Sequence, residues 1–202
     1  MFWLTPITLR GTHVVLEPLS PDHSSDLQIA VADGRLHELW YTSVASPENM
    51  AADVQRRIDQ GAAGLIMPFA AVDPETGKAV GMTSYLNLDA KNKRLEIGAT
   101  WYRKSVQRSP LNTEVKLLLL THAFEELNCI AVEFRTHFLN QQSRRAIERL
   151  GAKLDGVLRC HQVMANGTLR DTAVYSIIAC EWPAIKAGLD HKLEKSPPKQ
   201  RT

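Results

Sequence analysis

Residues 94–151 alternate two kinds of segment, and that alternation restricts the fold more than any other feature of the chain. Arg94-Leu-Glu-Ile-Gly-Ala-Thr-Trp-Tyr102 alternates as a strand does, and a polar loop follows from Arg103 to Ser109. An apolar helix is predicted over about 112–127, then a second strand, Cys129-Ile-Ala-Val-Glu-Phe-Arg-Thr-His137. A second helix starts at Asn140 and ends at Gly151. Two strands joined through a helix must lie parallel, with a right-handed crossover. Polar and basic residues stand at both helix starts, where unpaired N–H groups and the macrodipole favour anions. Two such starts beside one sheet suit a ligand with several phosphates.

The flanking segments complete a sheet of mostly antiparallel strands. Residues 9–19 alternate around Val14 and Leu16 as one half-buried strand. Ser20-Pro21 and Ser46-Pro47 each open a helix, by the preference for Ser as cap and Pro in the first turn. Ile66–Val72 is a short strand, placed at a sheet edge or shortened by Pro68. Strands over about 79–88 and 94–102 follow it after short turns, which permit only antiparallel neighbours. After Gly151 come strands over about 152–163 and 169–178, joined by the hairpin signal Asn166-Gly167. A short helical piece starts at Glu181, and a polar, basic, disordered tail is expected over 191–202. Residues 1–190 then form a single domain. The class is α+β: a mixed sheet with one parallel pair near its centre and helices on both faces.

A formal net charge of +2, with no long basic run outside the tail, points away from nucleic acid. No apolar stretch approaches the roughly 20 residues of a membrane span, and Met1-Phe-Trp-Leu lacks the charged start of a secretion signal. The three cysteines, Cys129, Cys160 and Cys180, are far apart and odd in number, which argues against a disulfide framework or a zinc site. We expect three buried, inert thiols, a cytoplasmic setting and no metal.

Three stretches together resemble the RimJ/RimL-like branch of the GNAT N-acetyltransferases. Asn112-Thr-Glu-Val-Lys-Leu-Leu-Leu-Leu120 with His122-Ala-Phe-Glu-Glu-Leu127 is similar to that branch's cofactor helix. Asn140-x-x-Ser143-Arg-Arg-Ala-Ile-Glu-Arg-Leu-Gly-Ala152 is similar to its next helix, and Arg170-Asp-Thr172, Tyr175 and Glu181-Trp182 to its C-terminal pattern. The likeness covers about residues 7–185. It implies a GNAT-like fold whose two central strands splay apart, with acetyl-CoA in the wedge and a primary amine, a protein N-terminus or a small molecule, as acceptor. A homodimer is also implied. The rival reading is a non-catalytic CoA-binding or protein-interaction module on the same fold.

The resemblance also assigns residues. Ile97, Gly98 and Ala99 would pair with the pantetheine arm. Gln107, Arg108, Ser109, Leu111, Asn112 and Thr113 would meet the pyrophosphate, and Asn140 and Arg144 would complete the cofactor side. The family's loop carries glycine-type residues where this chain has Pro110 and Asn112. Pro110 has no N–H to offer a phosphate, so weakened rather than abolished CoA binding is expected. Gly98, inside a strand, marks either a bulge or tight packing. The tyrosine acid of many relatives is replaced by Ile147, which leaves Ser143 as proton donor to the thiolate or merely as a first-turn residue. Glu96 is either the general base or a rim carboxylate. Among Arg103, Lys104, Arg108, Arg144 and Arg145, some would reach phosphate and the rest solvate the surface. Trp40 and Tyr41 would rim the acceptor side.

Overall fold

A computed structural model describes residues 3–195. Eight strands form one sheet in the order β1-β2-β3-β4-β5-β6-β8-β7. They are β1 Leu9–Arg10, β2 Val15–Pro18, β3 Met67–Val72, β4 Ala79–Asp89, β5 Arg94–Tyr102, β6 Ala131–His137, β7 Lys153–Val163 and β8 Leu169–Ile178. The helices are α1 Ser24–Ala32, α2 Met50–Ala62, α3 Leu111–Thr121, α4 Gln141–Glu148 and α5 Trp182–Glu194. All strand neighbours are antiparallel except β5 and β6. That pair is the one the strand–helix–strand order requires.

The sheet separates two apolar clusters. Leu95, Ile97, Val132, Phe134 and Tyr175 pack with Val115 and Leu119 of α3 on one face. Met82 and Trp101 pack with Leu27 and Val31 of α1 and Val54 of α2 on the other. Side chains alternate along a strand. Glu96, between Leu95 and Ile97, therefore faces α1 and α2, and so do Glu133, Arg135 and His137 of β6.

Several sequence-based boundaries move. The single strand expected over 9–19 is a hairpin, with a turn at Gly11–His13. The turn wraps the buried Glu114 carboxylate, which accepts backbone N–H groups from Thr12 (2.9 Å), His13 (2.6 Å) and Val14 (2.9 Å). Pro68 does not mark an edge, because β3 lies between β2 and β4. Pro68 is tolerated because it lies just past the last β2 pair, Pro18–Phe69. The helix expected over 112–127 is α3 followed by a π-turn at His122–Glu126. There His122 stacks on Tyr85, whose hydroxyl donates to the Leu119 carbonyl at 2.7 Å. The last helix is not short: α5 continues through His191 to Glu194, and residues 196–202 of the expected tail lie outside the described ones. Cys129 is buried as expected, but Cys160 and Cys180 are exposed, because β7 is an edge strand and Cys180 lies in the turn after β8. No described helix is long and apolar enough to cross a membrane.

Candidate active site

The parallel pair is short. Only Arg94–Ala131, Leu95–Val132 and Glu96–Glu133 are in register, although β5 continues to Tyr102 and β6 to His137. Beyond Glu96 and Glu133 the two strands are no longer paired, which leaves a slot in the hydrogen-bonded ladder at the middle of the sheet. Its β5 wall is irregular. Pairing with β4 shifts between Ser84–Gly98 and Met82–Trp101, and Ala99 lies at φ 49°. The bulge is therefore at Ala99 and Thr100, one residue beyond the glycine expected to mark it. Gly98 has a different reason to be glycine: a Cβ there would stand 2.7 Å from Glu96 Oε1 and 2.8 Å from a methyl of Leu86. The Glu96 carboxylate packs directly against the bulge.

Glu96 is buried. Its Oε2 accepts a hydrogen bond from Asn87 Nδ2 at 2.7 Å and lies 3.6 Å from Arg135 Nε. Arg135 also holds Glu133 at 2.9 Å, and Arg94 holds Glu133 at 2.7 Å. Burial outweighs the attraction of Arg135 and raises the Glu96 carboxyl to a pKa of about 7. A carboxylate so poised takes a proton near neutral pH far better than an exposed one.

The opposite face of the bulge holds a residue that the sequence reading passed over. Lys116 of α3 is buried, and its Nζ donates to Thr100 Oγ1 at 3.0 Å, which shares a hydrogen with Thr83 Oγ1 at 2.8 Å. Desolvation alone lowers its pKa to about 7. The signal was available: Lys116 stands three and four residues before Leu119 and Leu120, on the inward stripe of α3.

The loop before α3 is tied down at both ends. Asp33 Oδ2, after α1, accepts from Arg103 Nε at 3.0 Å and Ser105 N at 3.1 Å. Gln107 Nε2 donates to the Tyr102 carbonyl, and Ser109 Oγ donates to the Val106 carbonyl and accepts weakly from Leu111 N at 3.3 Å. Arg108 adopts φ 62°. Of the residues expected at a pyrophosphate, Gln107, Ser109 and Leu111 thus hold the loop's own shape, while Arg108 and the Asn112 and Thr113 amides stand at the start of α3. On the other flank, Asn140 Oδ1 accepts Ser143 N at 3.0 Å and caps α4. Ser143 is half-buried, and its hydroxyl is bonded to no described residue. Arg144 is engaged within the fold: it donates to Tyr175 Oη at 2.8 Å and lies 4.6 Å over the Phe138 ring.

The face of the slot opposite α3 is lined by Glu96, Glu133, Arg135 and His137, with Thr172 and Arg170 on β8. Arg170 Nε donates to Thr172 Oγ1 at 3.0 Å. Trp40 and Tyr41, in the connection after α1, meet the His137 ring edge-on at centroid distances of 5.3 and 6.3 Å. Among the described residues no group of three or more His, Cys, Asp or Glu is placed to hold a metal.

Comparison with known proteins agrees with this geometry. The acetyltransferase (GNAT) domain model matches residues 13–153. YdaF of Bacillus subtilis strain 168, by its name a candidate ribosomal N-acetyltransferase, is 34% identical over 110 residues, covering 54% of this chain and 59% of its own length. A GCN5-related N-acetyltransferase from Brucella melitensis superposes with a TM-score of 0.82 at 30% identity, covering 94% of this chain and 86% of that one. The ribosomal-protein-S5-alanine acetyltransferase of Vibrio fischeri shares the fold at a TM-score of 0.69 and 16% identity, over 87% and 98% of the two chains.

Proposed function

This chain belongs to the GNAT acetyltransferase family and is an N-acetyltransferase; from that premise we propose that it moves acetyl from acetyl-CoA to the free amine of a protein N-terminus, by direct transfer in a ternary complex. The observation that carries this reading is the loss of β5–β6 pairing after Glu96 and Glu133, beside a bulge whose backbone is turned out of the ladder. An acyl-pantetheine arm entering that slot meets the Gly98 and Ala99 amides. Donors placed there hold the oxyanion that develops as the thioester carbonyl is attacked. Arg108 and the Asn112 and Thr113 amides meet the pyrophosphate at the start of α3.

Glu96, on the far face, takes the proton of the attacking amine, directly or through water. The α3 face behind the bulge is closed by Lys116 and the two threonines, so the acceptor approaches from the side of α1 and α2. Ser143 donates a hydrogen bond to the departing thiolate and passes it a proton drawn from water, which restores the hydroxyl. The choice of a protein acceptor follows the name of YdaF as a ribosomal N-acetyltransferase, and the polar side chains of Glu133, Arg135 and His137 along β6 beyond Glu96 offer partners to an acceptor longer than a small amine.

Substituting Ser143 by Ala tests the proton donor. Turnover is expected to fall by about 100-fold, the lower end of general-acid effects, with acetyl-CoA affinity within about twofold because the N-cap contact uses the Ser143 backbone. Stopped-flow thiol release and calorimetry read the two quantities. Unchanged turnover would leave Ser143 as a first-turn residue only. A panel of N-terminally free peptides and small amines, read by the same thiol release, tests the acceptor class. Turnover of the small amines alone would overturn the peptide reading.

A further inference from the structure

His137 closes β6 on the acceptor face, and it carries a polar atom without a partner. Its Nδ1 accepts the Leu139 N–H at 3.1 Å. A neutral imidazole that accepts at one nitrogen carries its hydrogen on the other. Nε2 is therefore a donor, and it is buried with no acceptor among the described residues, in a side chain only 4% exposed. Desolvation, with Arg170 adding to it, lowers the His137 pKa, so the ring stays neutral and the Nδ1 acceptor is kept. Buried donors are almost always paired, and an orphan on a site wall calls for a ligand.

The aromatic rings packed on His137 are removable. Trp40 and Tyr41 pack edge-on against the ring, yet Trp40 is 51% exposed and lies in a connecting segment rather than in the sheet. An extended chain lying along β6 displaces these rings and exchanges their two edge contacts for a hydrogen bond and its own contacts with the wall.

The position of the donor selects the ligand. His137 lies four residues along β6 from Glu133, the in-register neighbour of Glu96. Four residues of strand span about 13 Å. The nitrogen and carboxylate of a single amino acid lie within one residue length, about 3.8 Å between successive Cα atoms. The oxygen that meets His137 therefore belongs to a later residue of a longer acceptor.

We infer that His137 Nε2–H is the subsite for a backbone carbonyl about four residues into an extended peptide whose N-terminal amine is at Glu96. The inference deepens the proposed function and rests on it for the direction of the peptide. Arg170, whose charge acts on both Glu96 and His137, lies on the same stretch of wall.

The test is the His137→Phe variant, which keeps the ring and removes the donor, with His137→Gln as the partner that returns an N–H near the same place. The probes are N-terminally free tetrapeptide amides, the matching free amino acids and matching alkylamines. Wild type is expected to prefer tetrapeptides over both smaller sets. In His137→Phe the peptide KM rises about tenfold or more, the cost of one lost hydrogen bond that discriminates substrates, the preference over alkylamines falls by the same factor, and His137→Gln recovers part of it. Calorimetric binding of a tetrapeptide amide to the CoA-loaded enzyme reads the same subsite without turnover. Failure of every amine to be acetylated while the peptide binds and His137→Phe weakens it would sink the proposed reaction and keep the subsite. Equal peptide affinity in wild type and His137→Phe, or no peptide binding to wild type, would overturn the subsite itself.

Discussion

Replacing Glu96 by Gln is expected to lower kcat by about 10²- to 10⁴-fold, the range for a positioned general base, while acetyl-CoA affinity stays within about twofold. Gln keeps the size of the side chain that packs against Gly98 and can still be held by Asn87. What it lacks is a basic carboxylate to take up the amine proton. The pH profile provides the sharper sign. With a pKa of about 7, wild-type Glu96 is protonated and idle below neutrality, so kcat/KM should climb through pH 7 on its acid limb. The residual activity of Glu96→Gln should lack that limb. A variant that retains both rate and limb would return Glu96 to a rim carboxylate.

The same shift has a thermodynamic consequence. The folded protein binds the Glu96 proton more tightly than the unfolded chain does. Stability contributed by the neutral carboxyl is complete below the ordinary pKa of 4.5 and is lost as pH rises through about 7. The loss is on the order of 3 kcal/mol across that window. Gln has no proton to lose, so the variant should gain stability relative to wild type as pH rises. Loss of rate with gain of stability is the usual signature of a residue kept for chemistry.

Glu114→Ala is expected to be the most damaging single change to the fold outside the apolar clusters. Its carboxylate gathers three backbone N–H groups of the β1–β2 turn, and Gly11 leaves room for it because a Cβ there would run into the carboxylate. Truncation leaves Val14 N buried and unpaired and the other two donors half-covered. At about 1–3 kcal/mol for each unsatisfied donor, we expect a loss of about 3–5 kcal/mol in urea unfolding at neutral pH. Glu114→Gln, which keeps one acceptor oxygen, should lose less. Because the turn braces the N-terminal half of α3, CoA affinity should fall with stability. A loss under about 1 kcal/mol would mean that the hairpin closes without the carboxylate.

The particular residues explain what could be read from the sequence. β5 was legible to the residue because its alternation and its turns are local, and so was the capped start of α4, where Asn140 supplies its own hydrogen bond. The β1–β2 turn was not, because the group that holds it, Glu114, lies about a hundred positions away. The Ala99 bulge was placed one residue early, since a glycine is the usual local sign and here Gly98 instead makes room for Glu96. The site was half legible: the polar residues of β5, α3 and α4 could be named, but which side each faces follows only from the two apolar clusters. Lys116 and the orphaned nitrogen of His137 are products of packing. One sits on an inward helical stripe among leucines, and the other depends on a Leu139 amide fixing the tautomer. Cys160 and Cys180 show the limit of residue habit, since one thiol lies on the edge strand β7 and the other in the turn after β8, where the fold leaves both exposed.

The slot between β5 and β6 is the premise beneath every role assigned above. Titrating the isotope-labelled protein with CoA and following backbone amide resonances addresses it directly. The account predicts the largest saturable shifts at Gly98 and Ala99 on β5 and at Asn112 and Thr113 at the start of α3, with β1, β7 and α2 little changed. Saturable binding whose shifts fall elsewhere and leave Gly98 and Ala99 unmoved would contradict it.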